Sequence, residues 1–516
     1  MVRRGLVGAA AALACAFAIA EPGEPPSLDH AFELMVAGKR EEAQKEIRQS
    51  DVSDGYRWKL FKGLARWELH DPAGAIDDFS EAIEAEPNIA TTYLMRGFVR
   101  REAGDPAGEL ADYDAAISIK PDSGPAYALR GAALATGKRY QEASAALDQA
   151  IRVDPEYPGV FGQRALVRVQ LNDLDGALAD YNEAIRRDPH DADVYRQRGL
   201  LWSMRKDPAR AIQDFTEAIR IEPKDPRNYR SRGGGWMSQK KYQQAETDYS
   251  AAIELSNGED CDAYQSRGDT RLLVGDLERA RADFQKVIDR CPAKAPAYIS
   301  RGMSWAAAHR DLDALDDYSS AIRVDPSSAP ARVLRGELLM IHRMNDSQAE
   351  SDLRAAIRLN PTDMIEHQQL GYLQMITGDF RKAAESFDRA QSIEPTSTNA
   401  ALAHFAAQRS GAAENSKTGN LPPCAREEKD KWLGMLGCFL RNQASPDELI
   451  AAAKSSPQAA RVQIRLCLAH VFIGESQIIR GATQIAINSF RFASEECPDD
   501  RQMRTLAMAE LGRLTR

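Results

Sequence analysis

The side chains with the most distinctive chemistry in this 516-residue sequence are seven cysteines. A thiol can act as a nucleophile, a metal ligand or half of a disulfide. Cys15 lies in an apolar N-terminal stretch, and the others are Cys261, Cys291, Cys424, Cys438, Cys467 and Cys497. No two have the short ligand spacing of a zinc site, and there is no Cys-x-x-Cys or His-Glu-x-x-His. The eight histidines are scattered, among them His70, His190, His309, His342 and His367. There is no P-loop and no Gly-x-Ser-x-Gly elbow. Gly233-Gly234-Gly235 falls inside a helical pattern, where it marks a weakened or closely packed helix and not a phosphate loop. Paired carboxylates such as Asp77-Asp78 and Asp316-Asp317 read as solvated helix faces. No enzyme activity, cofactor or metal is expected, and the cysteines are left with disulfide chemistry.

That chemistry depends on the compartment. Arg3 and Arg4 precede an apolar run from Leu6 to Ala20, which at 15 residues is shorter than the roughly 20 of a membrane span. Ala18-Ile19-Ala20 is the small-x-small pattern of a signal-peptidase site. Residues 1–20 are therefore expected to be a signal peptide, removed before Glu21, and the protein to be periplasmic or secreted. The alternatives are an uncleaved anchor, or a lipoprotein acylated at Cys15 after Ala12-Leu13-Ala14. Cleavage removes Cys15 and two positive charges, leaving six cysteines and a charge of 65 − 76 = −11. An even set in an oxidising compartment suggests disulfides. The acidic balance argues against nucleic-acid binding. No further segment reads as a membrane span.

The elements that carry these residues repeat. Prolines close similar phrases at Pro87, Pro121, Pro155, Pro189 and Pro223, each 34 residues after the last, and the series resumes at Pro292, Pro326, Pro361 and Pro395. A small residue recurs in register at Gly63, Gly97, Gly131, Ala165, Gly199, Gly233, Gly268, Gly302, Gly336 and Gly371. A second column holds Phe79, Tyr113, Tyr181, Phe215, Tyr249, Phe284, Tyr318 and Phe387, with Leu147 and Leu353 as substitutes. The small column is where two helices cross, and the aromatic fills their inner face. Proline stops the second helix. Gly104-Asp105, Gly137-Lys138, Gly275-Asp276 and Gly378-Asp379 mark turns between helices. A hairpin of this kind cannot bury its face alone, so the copies must stack.

These columns resemble the tetratricopeptide repeat. The resemblance implies an all-α fold, a right-handed superhelical solenoid of stacked helix-turn-helix hairpins with a C-terminal helical region. Ten copies are expected over 56–397, after N-terminal capping helices in 21–55. A frayed helix and linker follow in 398–423. The region 424–516 carries a final copy at 467–500, in which Gly474, Ala486, Phe490, Ala493 and Pro498 fill the repeat columns. Trp432 to Arg441, Ser445-Pro446-Asp447-Glu448 and the later Gly474-Glu475 and Cys497-Pro498 resemble the C-terminal part of some secreted bacterial repeat proteins, which implies an interaction module.

The register places Cys261 and Cys291 at the first and thirty-first positions of copy seven, and Cys467 and Cys497 at the matching positions of the last copy. The start of one helix and the end of its antiparallel partner lie at the same end of a hairpin, so Cys261–Cys291 and Cys467–Cys497 are expected to pair. Cys424 and Cys438 remain for each other. Arg precedes the small residue in eight copies (Arg96, Arg130, Arg164, Arg198, Arg232, Arg267, Arg301 and Arg335), and Asp precedes the second-helix aromatic in most of them. This pairing predicts ion pairs within and between copies that set stacking register.

In the family that the columns resemble, first helices line a concave groove. Their fifth, ninth and twelfth positions include Arg196, Arg230, Gln265, Leu166, Leu200, Met303, Met237, Met340 and Trp67, an apolar track with a basic centre. The expected function is a non-catalytic exported scaffold binding a protein or peptide along this groove. The alternative is an envelope module for a glycan or cell-wall ligand. The paired Lys and Asn with which some members grip a C-terminal carboxylate are missing, since the matching positions hold Gln163, Gln197, Leu200 and Gly234.

Overall fold

The computed structural model describes residues 55–411, 421–425, 431–497 and 501–515. The expected signal peptide, the capping segment before Gly55 and most of the linker lie outside them. The chain forms two compact units, 1–239 and 240–516. Every regular element among the described residues is an α-helix.

The first unit contains α1 (Tyr56–Glu68), α2 (Pro72–Ala85), α3 (Ala90–Glu102), α4 (Pro106–Ile119), α5 (Gly124–Thr136), α6 (Tyr140–Val153), α7 (Val160–Gln170), α8 (Leu174–Arg187), α9 (Ala192–Met204), α10 (Pro208–Ile221) and α11 (Pro226–Ser238). The second contains α12 (Tyr242–Leu255), α13 (Cys261–Leu273), α14 (Leu277–Arg290), α15 (Ala295–Ala307), α16 (Asp311–Val324), α17 (Ala329–Ile341), α18 (Asp346–Leu359), α19 (Met364–Thr377), α20 (Phe380–Ile393), α21 (Ser397–Arg409), α22 (Lys431–Leu440), α23 (Pro446–Lys454), α24 (Ala459–Ile479), α25 (Thr483–Glu496) and α26 (Arg501–Leu514). Within each unit, the first helix of a copy packs on its second, and that second packs on the next first helix.

Local chemistry sets the ends. Second helices begin at aspartates whose carboxylates accept from the N–H three residues on: Asp71 from Gly74 at 3.0 Å, Asp105 from Gly108 at 2.9 Å and Asp173 from Gly176 at 3.0 Å. These caps satisfy donors that a helix start leaves without partners. Gly104, Gly275 and Gly378 take the left-handed backbone that the turn needs. In copy three the turn differs from the Gly-Lys expectation. Gly137 has φ −75°, and Lys138 is the left-handed residue at φ 59°.

The two columns meet in the core. A Cβ at Gly199 would lie 2.6 Å from the Phe215 ring, and one at Gly268 would lie 2.6 Å from that of Phe284. Both rings are buried. The ring occupies the space that the missing Cβ leaves. Gly233 and Gly235 lie buried inside α11, and a Cβ at Gly235 would stand 2.7 Å from Ile212.

The arginine column staples the stack in two directions. Arg164 donates to Asp180 of its own copy at 2.9 and 2.6 Å, and to Asp148 of the preceding copy at 2.6 Å. Arg96 joins Asp112 to Ser80, Arg198 joins Asp214 to Asn182, and Arg335 joins Asp352 to Ser319. Where Ala146 interrupts the aspartate column, Arg130 holds only Asp114 of the preceding copy, at 2.6 Å. A second arginine, one turn on, closes on the same carboxylate in several copies: Arg100 on Asp112 at 3.0 Å, Arg168 on Asp180 at 2.9 Å and Arg271 on Asp283 at 2.7 Å. Asp180→Asn would leave two partly buried guanidinium groups short of their carboxylate. We expect a loss of about 2 kcal/mol, read as faster hydrogen exchange in copies three to five.

The last helices of the second unit join its repeats in one core. Tyr372 and Phe387 pack edge to face, Phe405 lies tilted against Phe472, and Trp432, Phe439 and Phe490 are buried with them. Two expectations are corrected here. The first helix of the last copy starts at Ala459 rather than at residue 467, so Cys467 lies mid-helix. One further segment, Arg461–Ile479, is also long and apolar enough to cross a membrane. Half of it is buried inside the unit, where α21, α23, α25 and α26 surround it. Its composition follows from that central position.

Candidate functional site

The first-helix faces position the candidate site residues. In copies one and two, the Trp67 ring meets Phe98 edge-on at 5.4 Å and donates from Nε1 to Glu102 at 2.6 Å. The Arg101 guanidinium lies 4.3 Å over Phe98. In copies four and five, Leu166 is half-buried, while Leu200 is 38% and Met204 56% exposed. Arg196 is mostly covered, pairs with Asp193 through Nη2, and keeps a buried Nε with no hydrogen-bond partner. Gln163, on the neighbouring copy, has a buried Oε1 in the same condition. Arg230 and Met237 are half-buried. Among the described residues of the first unit, no helix beyond those of adjacent copies packs on this face. The arrangement offers exposed apolar side chains between polar groups that still have hydrogen bonds to make.

The second unit is different. Gln265 donates from Nε2 to Asp269 at 3.1 Å and to Ser300 at 3.1 Å, and the Ser300 hydroxyl donates to Asp269 at 2.8 Å. Met303 is 42% exposed. Met340, expected to line the groove, does not: it is fully buried in the core. The reason is α26, which packs against the first helices α17, α19 and α24. Gln502 donates to Glu337 at 3.2 Å, Arg501 to the Ala306 carbonyl at 3.3 Å, and Arg513 to the carbonyls of Met375 and Ile376 at 2.7 and 2.6 Å. The buried face of α26 is Met503, Leu506, Ala507 and Glu510. A final helix after Pro498 is expected from the sequence; its lie across the first helices of copies nine and ten is not. The apolar spacing of those residues was a signal for it.

A charged network holds α26 down. Arg409 donates to Glu475 at 2.8 Å and to Glu510 at 3.2 Å, and Arg513 also contacts Glu510. Both carboxylates are fully buried. Burial pushes the Glu475 carboxyl above its usual range, and the Arg409 charge opposes that shift. Arg409 and Arg513 also cover the Phe380 ring, at 4.2 and 5.3 Å.

The six cysteines come together in the expected pairs. The α-carbons of Cys261 and Cys291 are 6.7 Å apart, those of Cys467 and Cys497 5.8 Å, and those of Cys424 and Cys438 4.3 Å, with sulfurs at bonding distance in all three. Among the described residues, no group of three or more His, Cys, Asp or Glu side chains is placed to hold a metal.

Two family models, both described as tetratricopeptide repeat, match the chain. One covers residues 60–124 and 163–226, the other 124–157 and 367–397. No curated protein matches. Among solved structures, a tetratricopeptide repeat protein from Parabacteroides merdae is 22% identical with a TM-score of 0.40, over 49% of this chain and 98% of that one. YrrB, described as a TPR protein with an unusual peptide-binding site, is 24% identical with a TM-score of 0.31, over 36% and 96%. The structure described as the APC/C hetero-tetramer Cut9-Hcn1 is 14% identical with a TM-score of 0.41, over 94% and 95%.

Proposed function

The chain is a tetratricopeptide-repeat protein, and we propose that it is a non-catalytic, exported scaffold that binds a protein or peptide on the first-helix face of its first unit. One observation carries this reading. Leu200 and Met204 are exposed on that face, flanked by Gln163 Oε1 and Arg196 Nε, two atoms without hydrogen-bond partners. Buried polar atoms left unpaired are costly, and an extended polypeptide brings both the donors and the acceptors they need. In the second unit α26 already covers the face over copies nine and ten. Export is supported by the n-region, apolar run and small-x-small site of residues 1–20, and by three cysteine pairs at bonding distance.

A photo-crosslinking residue at position 200 tests the reading in the native cell. We expect a discrete protein adduct from position 200 and none from position 220 on the exposed second-helix surface. Equal labelling from both positions, or retention by peptidoglycan with no protein adduct, would count against it. The second of these results would assign the glycan alternative.

A further inference from the structure

On the first-helix face of the second unit, the Asp269 carboxylate has no cation beside it. Asp269 sits on α13, and its hydrogen-bond partners are Gln265 and Ser300, both neutral. Burial raises its carboxyl above the usual range, and hydrogen bonds to Ser300 and Gln265 only partly offset this. The arginines of the same helix are committed elsewhere: Arg267 to Asp283 and Ser250, Arg271 to Asp283 and Glu246. Gln265 Oε1 is buried and has no hydrogen-bond partner. Two acceptors, one of them anionic, therefore stand together with no positive donor.

The next station on this face shows what suits it. Arg501, which opens α26, donates to the carbonyl of Ala306 on the first helix α15 and lies 3.9 Å from Asp311, at the start of the second helix α16. The chain's own helix thus brings a guanidinium to the face one copy further on. Between the two stations Met303 is partly exposed, and Leu273 lies exposed at the end of α13. This apolar surface would cover the methylene stem of a long cationic side chain.

We propose that Asp269 and Gln265 form a seat for one lysine or arginine side chain of a bound polypeptide, with the stem against Met303. The seat completes the hydrogen bonding of Gln265 and supplies the charge that Asp269 lacks. It rests on the protein-binding reading above and adds a chemical preference to it.

The test uses a phage library of random dodecapeptides panned on the full oxidised chain, on Asp269→Asn and on Asp269→Arg. Wild type is expected to enrich a basic residue at one position. The selected peptide should bind Asp269→Asn about tenfold more weakly, and Asp269→Arg should select an acidic residue there. Thermal melting checks that each variant is folded, and if Asp269→Arg is not, Asp269→Asn carries the comparison. Peptides with no basic position, or equal affinity for wild type and Asp269→Asn, would overturn the seat while leaving the scaffold reading intact. If wild type retains no peptide at all, the seat is overturned together with peptide binding, and the crosslink at position 200 then judges the scaffold separately.

Discussion

Arg409→Met is expected to destabilise the second unit by about 3–5 kcal/mol, because it leaves two buried carboxylates without their shared cation. Arg409 is the group that touches both Glu475 and Glu510, and neither carboxylate reaches solvent. Arg513 still holds Glu510, so Glu475 loses most. The Met side chain keeps the stem over Phe380, which separates lost charge from lost packing. The effect should depend on pH. Without Arg409 the folded-state pKa of Glu475 rises further above its unfolded value near 4.3. A group raised in this way binds more protons folded than unfolded, so stability falls as pH rises through the window between the two values. The loss is therefore larger at pH 8 than at pH 5. Hydrogen exchange of α19–α26 at the two values measures it. Equal loss at both would mean that packing, not charge, holds α26 in place.

Reduction should weaken one unit and spare the other. All six cysteines outside the N-terminal run lie beyond residue 239, and none occurs from 55 to 239. The pairs Cys261–Cys291 and Cys467–Cys497 each span 30 residues, and Cys424–Cys438 spans 14. On the chain-entropy account, closing the longer loops contributes about 3–4 kcal/mol each and the shorter about 3. Denaturation with and without reductant should shift the exchange of the second unit markedly and leave that of the first unchanged. Replacing Cys467 and Cys497 by Ser should loosen α25 and α26 first, because that pair ties the end of α25 to the middle of α24. Six alkylatable thiols in the unreduced, denatured protein would contradict the expectation, and with it a main support for export.

Much of this was legible from residues alone because a repeat is read many times over. The Gly199–Phe215 contact is one instance of a column pair that recurs in register, and a single odd copy does not obscure it. The arginine column was visible for the same reason. Its partners in the preceding copy were not: Ser80, Asp114, Asp148 and Asn182 share a position but not a single residue type. Hydrogen-bond acceptors of different chemistry serve one guanidinium equally well, so they leave no column to find.

The candidate site was harder, since Met237 and Met340 are the same residue at the same repeat position. One is half-buried and the other is completely buried. Position in a repeat says which way a side chain faces, but not what lies over it. That depends on α26, more than 160 residues after Met340 in the chain, folding back on the first helices. The sequence by itself determined the hairpin, its period, the stapling arginines and which cysteines could meet, because these follow from spacing within about one or two copies. Only the tertiary structure decided that α26 covers copies nine and ten, that a buried Glu–Arg network fixes it there, and that Asp269 has no cation beside it. The first two are contacts between segments far apart in the chain, which no local pattern specifies, and the third depends on where the neighbouring arginines spend their charge.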